Sequence, residues 1–393
     1  MFNLSLKKRR RGQVRAIDFI VSLLLFMLML SQLILVVINV QSGLNSQMRS
    51  NLNYKELDTF GRILLQEEGT QFWGYQQSLT ETFGLAQSKT IPSINLDAAK
   101  ISRIITGTTF PTYLISGFEQ FDYPSVKNIL GLDAKQDFQL SLQPYLELSI
   151  SITEVSSAIY ESTVQVTDAN NYLPLKECQV NFFTLDLTTG FIRIDGTKNT
   201  DENGQASLEY DNPNLNDPFG RHISIAVAEK GPIWGVTWKL PPSNHENVLL
   251  GHDSNATIWI GGLNSSSILV SDRHDLQGTP ETHFLSYIYK NTQGSFTNES
   301  INLPSLFEGN ETIQVPNEGL VFCFSIVKVN DEFKVGIGTF PAILDFDLSS
   351  GSFYQVFGKI SESSREIAKS SKTYPVYIRG TVMRCRLTLW RSR

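Results

Sequence analysis

At 393 residues the chain exceeds what one small core organises, and its length sets an expectation of two or three domains. Its formal charge of −6 comes from 33 Lys and Arg against 39 Asp and Glu, and six of the basic residues precede one apolar run near the start, so the remainder is clearly acidic. Such an exterior excludes nucleic acid as a natural partner, because that binding works through basic patches that displace counterions, and it suits a solvated region.

From Ile17 to Ile38 the chain is apolar apart from Asp18, Ser22, Ser31 and Gln32. At about 1.5 Å per residue this run matches a hydrocarbon core of about 30 Å and predicts a transmembrane helix, with membrane lipid as its partner. Lys7, Lys8, Arg9, Arg10, Arg11 and Arg15 precede it with no acid among them, which places residues 1–16 in the cytoplasm and the bulk of the chain outside the cell. The run is too long for the core of a secretory signal peptide, and no A-x-A site follows it, so the anchor is expected to be retained. Leu44, Met48, Leu52, Leu57, Phe60 and Leu64 then recur at helical spacing, predicting one transmembrane and amphipathic helix over 17–66 whose outer apolar stripe rests on the ectodomain's sheet. The alternative is a membrane helix, a break and a separate surface helix.

Residues 67–135 read as a mixed connector. A helix is expected over Leu96–Ile105, and another with Asp122 as cap, Pro124 in its first turn and Gly131 past its end. Period-two alternation follows in Phe138, Leu140, Leu142 and in Leu146, Leu148, Ile150, Ile152, giving head strands over 136–155 interrupted at Pro144. Thr163–Thr167, Val180–Phe183, a hairpin at Asn203-Gly204, Ile223–Ala228 and Val236–Leu240 are short strands at regular spacing, the pattern of a β-sandwich over 156–242. Strands are also expected at Thr257–Gly261, Ser267–Val270, His283–Tyr289, Leu320–Val329 and Lys334–Phe340, within a β-rich region over 243–373. The last strands, 374–393, are expected to pair with Phe138–Ile152, bringing Leu140 beside Leu387 and leaving the sandwich as an insertion in a head sheet. Arg384, Arg386, Arg391 and Arg393 would face solvent from its edge. The fold class is thus α+β, mainly β.

Little in the sequence points to catalysis. His245, His252, Asp253, Asp272, His274, Asp275 and His283 cluster, but none of their spacings matches H-E-x-x-H, and neither a G-x-S-x-G elbow, a P-loop nor a G-x-G-x-x-G run occurs. Asp201-Glu202-Asn203-Gly204 has the form of half a calcium loop without its downstream bidentate Glu, and a turn accounts for it. Cys178, Cys323 and Cys385 sit in apolar, strand-like surroundings, as small buried hydrophobes do, with one disulfide left open. No catalytic, metal or cofactor site is therefore expected. Asn255, Asn264, Asn298 and Asn310 head N-x-S/T acceptors, in keeping with an outside location.

Arg11-Gly12-Gln13, placed before the apolar helix, resembles the processing site of archaeal type IV pilin-like and archaellin precursors. The resemblance implies a cut between Gly12 and Gln13 by a prepilin-type peptidase, a helix kept on the mature chain, and assembly with other pilin-like subunits. Many members carry Glu five residues into the mature chain; here Ile17 stands there and Asp18 follows, so Asp18 takes the assembly role by implication. Trp73-Gly74, Gly84-Leu85-Ala86, Leu96-Asp97-x-x-Lys100-Ile101, Tyr123-x-x-Val126-Lys127-x-x-Leu130-Gly131-Leu132 and Asp137–Leu142, in that order, resemble the connector after the anchor helix of that family. From Ser156 to Pro242, Pro174-Leu175, Val180 and Thr200-Asp201-x-x-Gly204-x-Ala206 resemble bacterial Ig-like and carboxypeptidase-regulatory-like domains, which are spacers or adhesive modules. Together these imply a non-enzymatic structural or adhesive surface protein. The alternatives are a membrane-anchored receptor that enters no filament and an exported enzyme.

Overall fold

The computed structural model describes residues 19, 21–24, 26–32, 55–70, 82–88, 93–97, 100–101, 104, 123–156, 159–212, 221–241, 248–250, 257–262, 267–273, 282–291, 293–303, 310–314, 321–329, 332–340, 345–347, 352–358, 366–378 and 381–392. Its contacts divide into two units, Met1–Glu56 and Leu57–Arg393.

In the first unit the described residues from 19 to 32 are helical (α1). Among the described residues no helix is long and apolar enough to cross a membrane. The expected single helix over 17–66 is not shown, since most of 17–54, with Gly12, Gln13 and Asp18, lies outside the described residues.

Helix α2 covers residues 55–66, and from Leu57, where the second unit begins, Leu57, Phe60, Gly61, Leu64 and Leu65 are buried and the residues between them are exposed. This i, i+3, i+4, i+7, i+8 series is one helical stripe. It lies on strands from both ends of the unit: Phe60 packs 5.1 Å from the Phe138 ring, and a Cβ on Gly61 would lie 2.5 Å from Tyr374 Oη. Glycine at that point lets helix and strand approach closely. Burial of Leu57, Phe60 and Leu64 is worth about 1.5–3 kcal/mol each. Helix α3, Tyr123–Ile129, ends before Gly131 at φ +67, as its punctuation predicts. Of the helix expected over 96–105, residues 100 and 101 are helical, while Leu96 forms a bridge to Ala86.

Among the described residues twenty strands follow: β1 (Gln136–Pro144), β2 (Leu146–Ser156), β3 (Ile159–Asp168), β4 (Gln179–Asp186), β5 (Ile192–Asn199), β6 (Gln205–Asp211), β7 (His222–Lys230) and β8 (Ile233–Lys239) come first. Next are β9 (Val248–Leu250), β10 (Thr257–Gly262), β11 (Ser267–Arg273), β12 (Thr282–Lys290), β13 (Phe296–Asn302), β14 (Asn310–Gln314), β15 (Val321–Val329) and β16 (Glu332–Phe340). The last are β17 (Asp345–Asp347), β18 (Ser352–Gly358), β19 (Glu366–Ile378) and β20 (Thr381–Ser392).

The largest sheet runs β17-β18-β1-β20-β8-β7-β4-β5, with β19 also on β20. Its head half, through β20, meets its sandwich half, from β8, by one parallel pair, Val382↔Ile233. Leu140 lies opposite Leu387 in the β1–β20 ladder, the contact expected from sequence. Strand β2 departs from that expectation: it leaves the C-terminal strands and pairs with β3, its residues Leu146, Leu148, Ile150 and Ile152 entering the sandwich core. Strand β20 is flanked on both sides, by β1 and β19, rather than forming an edge.

The sheet β2-β3-β6 covers one face of β8-β7-β4-β5 and makes the β-sandwich. The opposite face of β4, β7 and β8 packs on the sheet β13-β12-β15-β16-β9, with Phe183 5.7 Å from Phe296 and Trp234 5.4 Å from Phe322. Beyond it, Leu285, Tyr287, Val321, Cys323 and Val327 form a further core with Ile313 of β14. Strands β4, β7 and β15 are therefore buried almost throughout, without the alternation seen in β3. In β7, small Ala226 and Ala228 face the sandwich while Ile223, Ile225 and Val227 face the neighbouring sheet. The turn at Asn203-Gly204 exists, with Gly204 at φ +74, but it joins two sheets: β5 pairs with β4 and β6 with β3.

Candidate functional site

Where β1 gives way to β2, the chain leaves the head sheet for the sandwich, and a cleft of about 220 Å³ lies at that crossing. Gln143, Glu147, Leu148, Tyr172, Val236 and Arg384 line it. Arg384 stands opposite Gln143 in the β1–β20 ladder, so strand register fixes both side chains. Its Nη1 donates to the Ala169 carbonyl and to Asn170 Oδ1, the latter at 2.9 Å. The Gln143 amide, turned with its oxygen towards the guanidinium, accepts from Nε and Nη2. The planar fork thus clamps the β3–β4 turn of the sandwich to the head sheet.

That turn is itself tightly held. Asp168 Oδ1 accepts the Asn170 N–H at 2.7 Å, Asn171 Oδ1 accepts the Leu173 N–H at 3.0 Å, and the Tyr172 N–H donates to the Asp168 carbonyl at 2.8 Å. The result holds Tyr172 at φ 57, left-handed backbone that a bulky side chain rarely adopts, and leaves it 69% exposed at the cleft. Among the described residues the half-buried Glu147 carboxylate has no hydrogen-bond donor.

Several other buried polar groups are paired internally. Lys100, 1% exposed, donates from Nζ to the Glu68 carbonyl at 2.7 Å and the Ala86 carbonyl at 2.8 Å. Desolvation lowers its pKa, with Asp97 and Glu68 pulling the other way. Asp137 accepts from Lys127 Nζ at 2.9 Å and Tyr123 Oη at 3.0 Å, and Tyr123 Oη accepts the Phe138 N–H at 3.0 Å. Burial raises the Tyr123 phenol. Inside the sandwich Tyr210 Oη lies 2.5 Å from Ser224 Oγ and 3.3 Å from His222 Nε2, and burial pushes its pKa up to about 12. Asp195 is likewise raised by burial, against hydrogen bonds from Thr184 and Arg193. These groups hold strands and helices in register.

Of the residues singled out for metal or proton chemistry, His283 is buried in β12 with Nε2 3.0 Å from Ser325 Oγ. Asp272 lies in β11, and His245, His252, Asp253, His274 and Asp275 lie outside the described residues. Among the described residues no group of three or more His, Cys, Asp or Glu could hold a metal. Asp201 Oδ1 accepts the N–H groups of Asn203 at 2.9 Å and Gln205 at 2.8 Å, which closes the turn. Cys178, Cys323 and Cys385 are buried and unbridged, and desolvation pushes the Cys323 thiol up to about 12. Asn298 is half-buried in the edge strand β13 opposite Ile288, and Asn310 begins β14; Asn255 and Asn264 lie outside the described residues. Sequence reasoning missed the cleft: it places Arg384 at a solvated edge.

No protein-family model matches the chain, and no curated protein matches it. Among solved structures, the chain is similar to the FN1–FN3 domains of chicken CNTN1 at 9% identity and a TM-score of 0.17, over 49% of this chain and 65% of that one. The match thus spans just under two thirds of that structure's length. The β-sandwich itself rests on the pairing and packing of this chain's own strands.

Proposed function

We propose that the chain is a non-enzymatic, single-pass surface protein, a pilin-like structural or adhesive component with its N-terminus in the cytoplasm and its β-sheets outside the cell. The observation that supports this reading is α1. Its apolar side chains are exposed on every side, from Phe19 at 68% and Leu24 at 64% to Phe26 at 62% and Met29 at 70%. A helix apolar all round needs lipid or other apolar helices about it. On this reading a prepilin-type peptidase cuts between Gly12 and Gln13, Asp18 meets a neighbouring pilin-like subunit, and Asn255, Asn264, Asn298 and Asn310 are glycan acceptors. Asp18 stands one residue inside the apolar run, where a neighbouring subunit can pair its carboxylate.

A membrane-anchored binding protein outside any filament is the second reading, favoured by the cleft with its half-buried carboxylate and strained aromatic. Mass spectrometry of the protein from washed membranes tests the first reading. It predicts a mature chain beginning at Gln13; an intact Met1, or recovery in the soluble fraction, counts against it. Asp18→Ala then separates the two readings: the first predicts filaments that contain the protein in the parent and are lost in the variant, and the second predicts no filament containing it in either.

A further inference from the structure

We propose that the cleft at the β1–β2 crossing is a subsite for a neutral saccharide ring, the ligand of the adhesive reading above, on which this proposal rests. Size bounds the occupant. At roughly 30 Å³ per water, 220 Å³ holds about seven waters, room for one six-membered sugar ring and below the range of larger organic ligands.

Charge selects among small ligands. The Arg384 guanidinium is already engaged by the Ala169 carbonyl, Asn170 and Gln143, so it does not call for an anion. The Glu147 carboxylate beside it would repel one, and between them the two formal charges cancel. What the cleft offers is an acceptor at Glu147 and the N–H groups of the Gln143 amide, whose oxygen faces Arg384. Adjacent hydroxyls, each both donor and acceptor, satisfy this pair.

The apolar side of the cleft fits the same ligand. Leu148 and Val236 contribute aliphatic surface, and Tyr172 presents an aromatic side chain against which the C–H face of a sugar ring can lie while its hydroxyl edge meets Glu147 and Gln143. Tyr172 also carries the clearest sign of use. Glycine would occupy φ 57 without penalty, yet a tyrosine stands there, held by the hydrogen bonds of the turn and 69% exposed.

The test uses the full chain in a non-glycosidic detergent, with ligand-observed NMR and calorimetry against methyl glycosides of glucose, galactose, mannose and N-acetylglucosamine. Inorganic phosphate and methylammonium serve as charged competitors. The proposal predicts that at least one glycoside binds with a Kd of about 0.1–10 mM, and that Tyr172→Ala and Glu147→Gln each weaken it by about tenfold or more. Tyr172→Gly relieves the backbone, so it should melt no lower than the parent and still lose binding, which separates a lost ligand contact from a lost fold. Absence of binding for all four glycosides at about 50 mM, binding that survives both substitutions, or displacement by either charged competitor overturns the proposal. Failure of the surface reading shows separately, in the N-terminal mass and membrane recovery: an anchored chain that binds no sugar loses this inference alone.

Discussion

The head and the sandwich each press one apolar face against another, yet they are held together by different means. In the head, β1 pairs with β20 across the length of the chain, Ser141 and Arg386 being 245 residues apart, Lys100 and Asp137 are buried, and Lys127 of α3 pairs with Asp137. In the sandwich, β2 to β8 are neighbours in sequence, and a mainly apolar core, in which Ala226 and Ala228 let the two sheets come close, also holds the Tyr210–Ser224–His222 group. One backbone pair, Val382↔Ile233, joins the two halves of the shared sheet. The difference teaches that the sandwich can close from local contacts, whereas the head must wait for the C-terminal strands and depends on charge pairing once they arrive.

The largest effect that would break this contrast lies in the head. Asp137→Ala strands the Lys127 ammonium and the Tyr123 hydroxyl in a buried site, and should cost about 3–5 kcal/mol in a urea titration. A loss below about 1 kcal/mol would mean that the charges do not hold the head.

Alkaline pH sharpens the contrast from the sandwich side. The Tyr210 pKa is raised from 10.0 to about 12, chiefly by burial, so its contribution is intact below pH 10 and is lost as pH rises towards 12. Over that window the parent should lose about 2–3 kcal/mol more than Tyr210→Phe. Lys100 runs the opposite way. Its pKa lies below 10.5, so the head is relieved as pH climbs from that lowered value towards 10.5, and Lys100→Met should remove this gain.

The two faces of β7 give a smaller comparison. Ala226→Val overfills the narrow sandwich core and should cost about 1–2 kcal/mol, whereas Ile225→Val on the other face removes one methyl group at about 0.5–1.5 kcal/mol. Insensitivity at Ala226 would show that the sandwich is not closely packed there. Similar in size and opposite in sign, Tyr172→Gly should raise the unfolding free energy by about 1 kcal/mol by removing left-handed strain.

What could be read from the sequence follows the same division. Alternation placed β1 and β3 and, with the C-terminal strand, the contact of Leu140 with Leu387. The connector pattern that carried the resemblance was also informative: Lys100, Tyr123, Val126, Lys127 and Asp137 are the groups buried or paired in the head. Alternation does not say which sheet covers a face, so Leu146–Ile152 were assigned to the head although they enter the sandwich. Strand β5, with the polar run Arg193 to Asn199, carries too few apolar residues to be recognised. Strands β4, β7 and β15 lose their alternation because sheets lie on both sides. The cleft was hidden for a further reason. It exists only once Gln143 and Arg384 share a ladder and the β3–β4 turn is clamped to them.

The most direct test of where this chain resides is protease added to intact cells. With α1 in lipid and the β-sheets outside, digestion should remove the head, the sandwich and the sheets beyond, leaving a short membrane-held fragment that carries the residues of α1. A full-length chain that resists digestion until the cells are lysed would contradict the account.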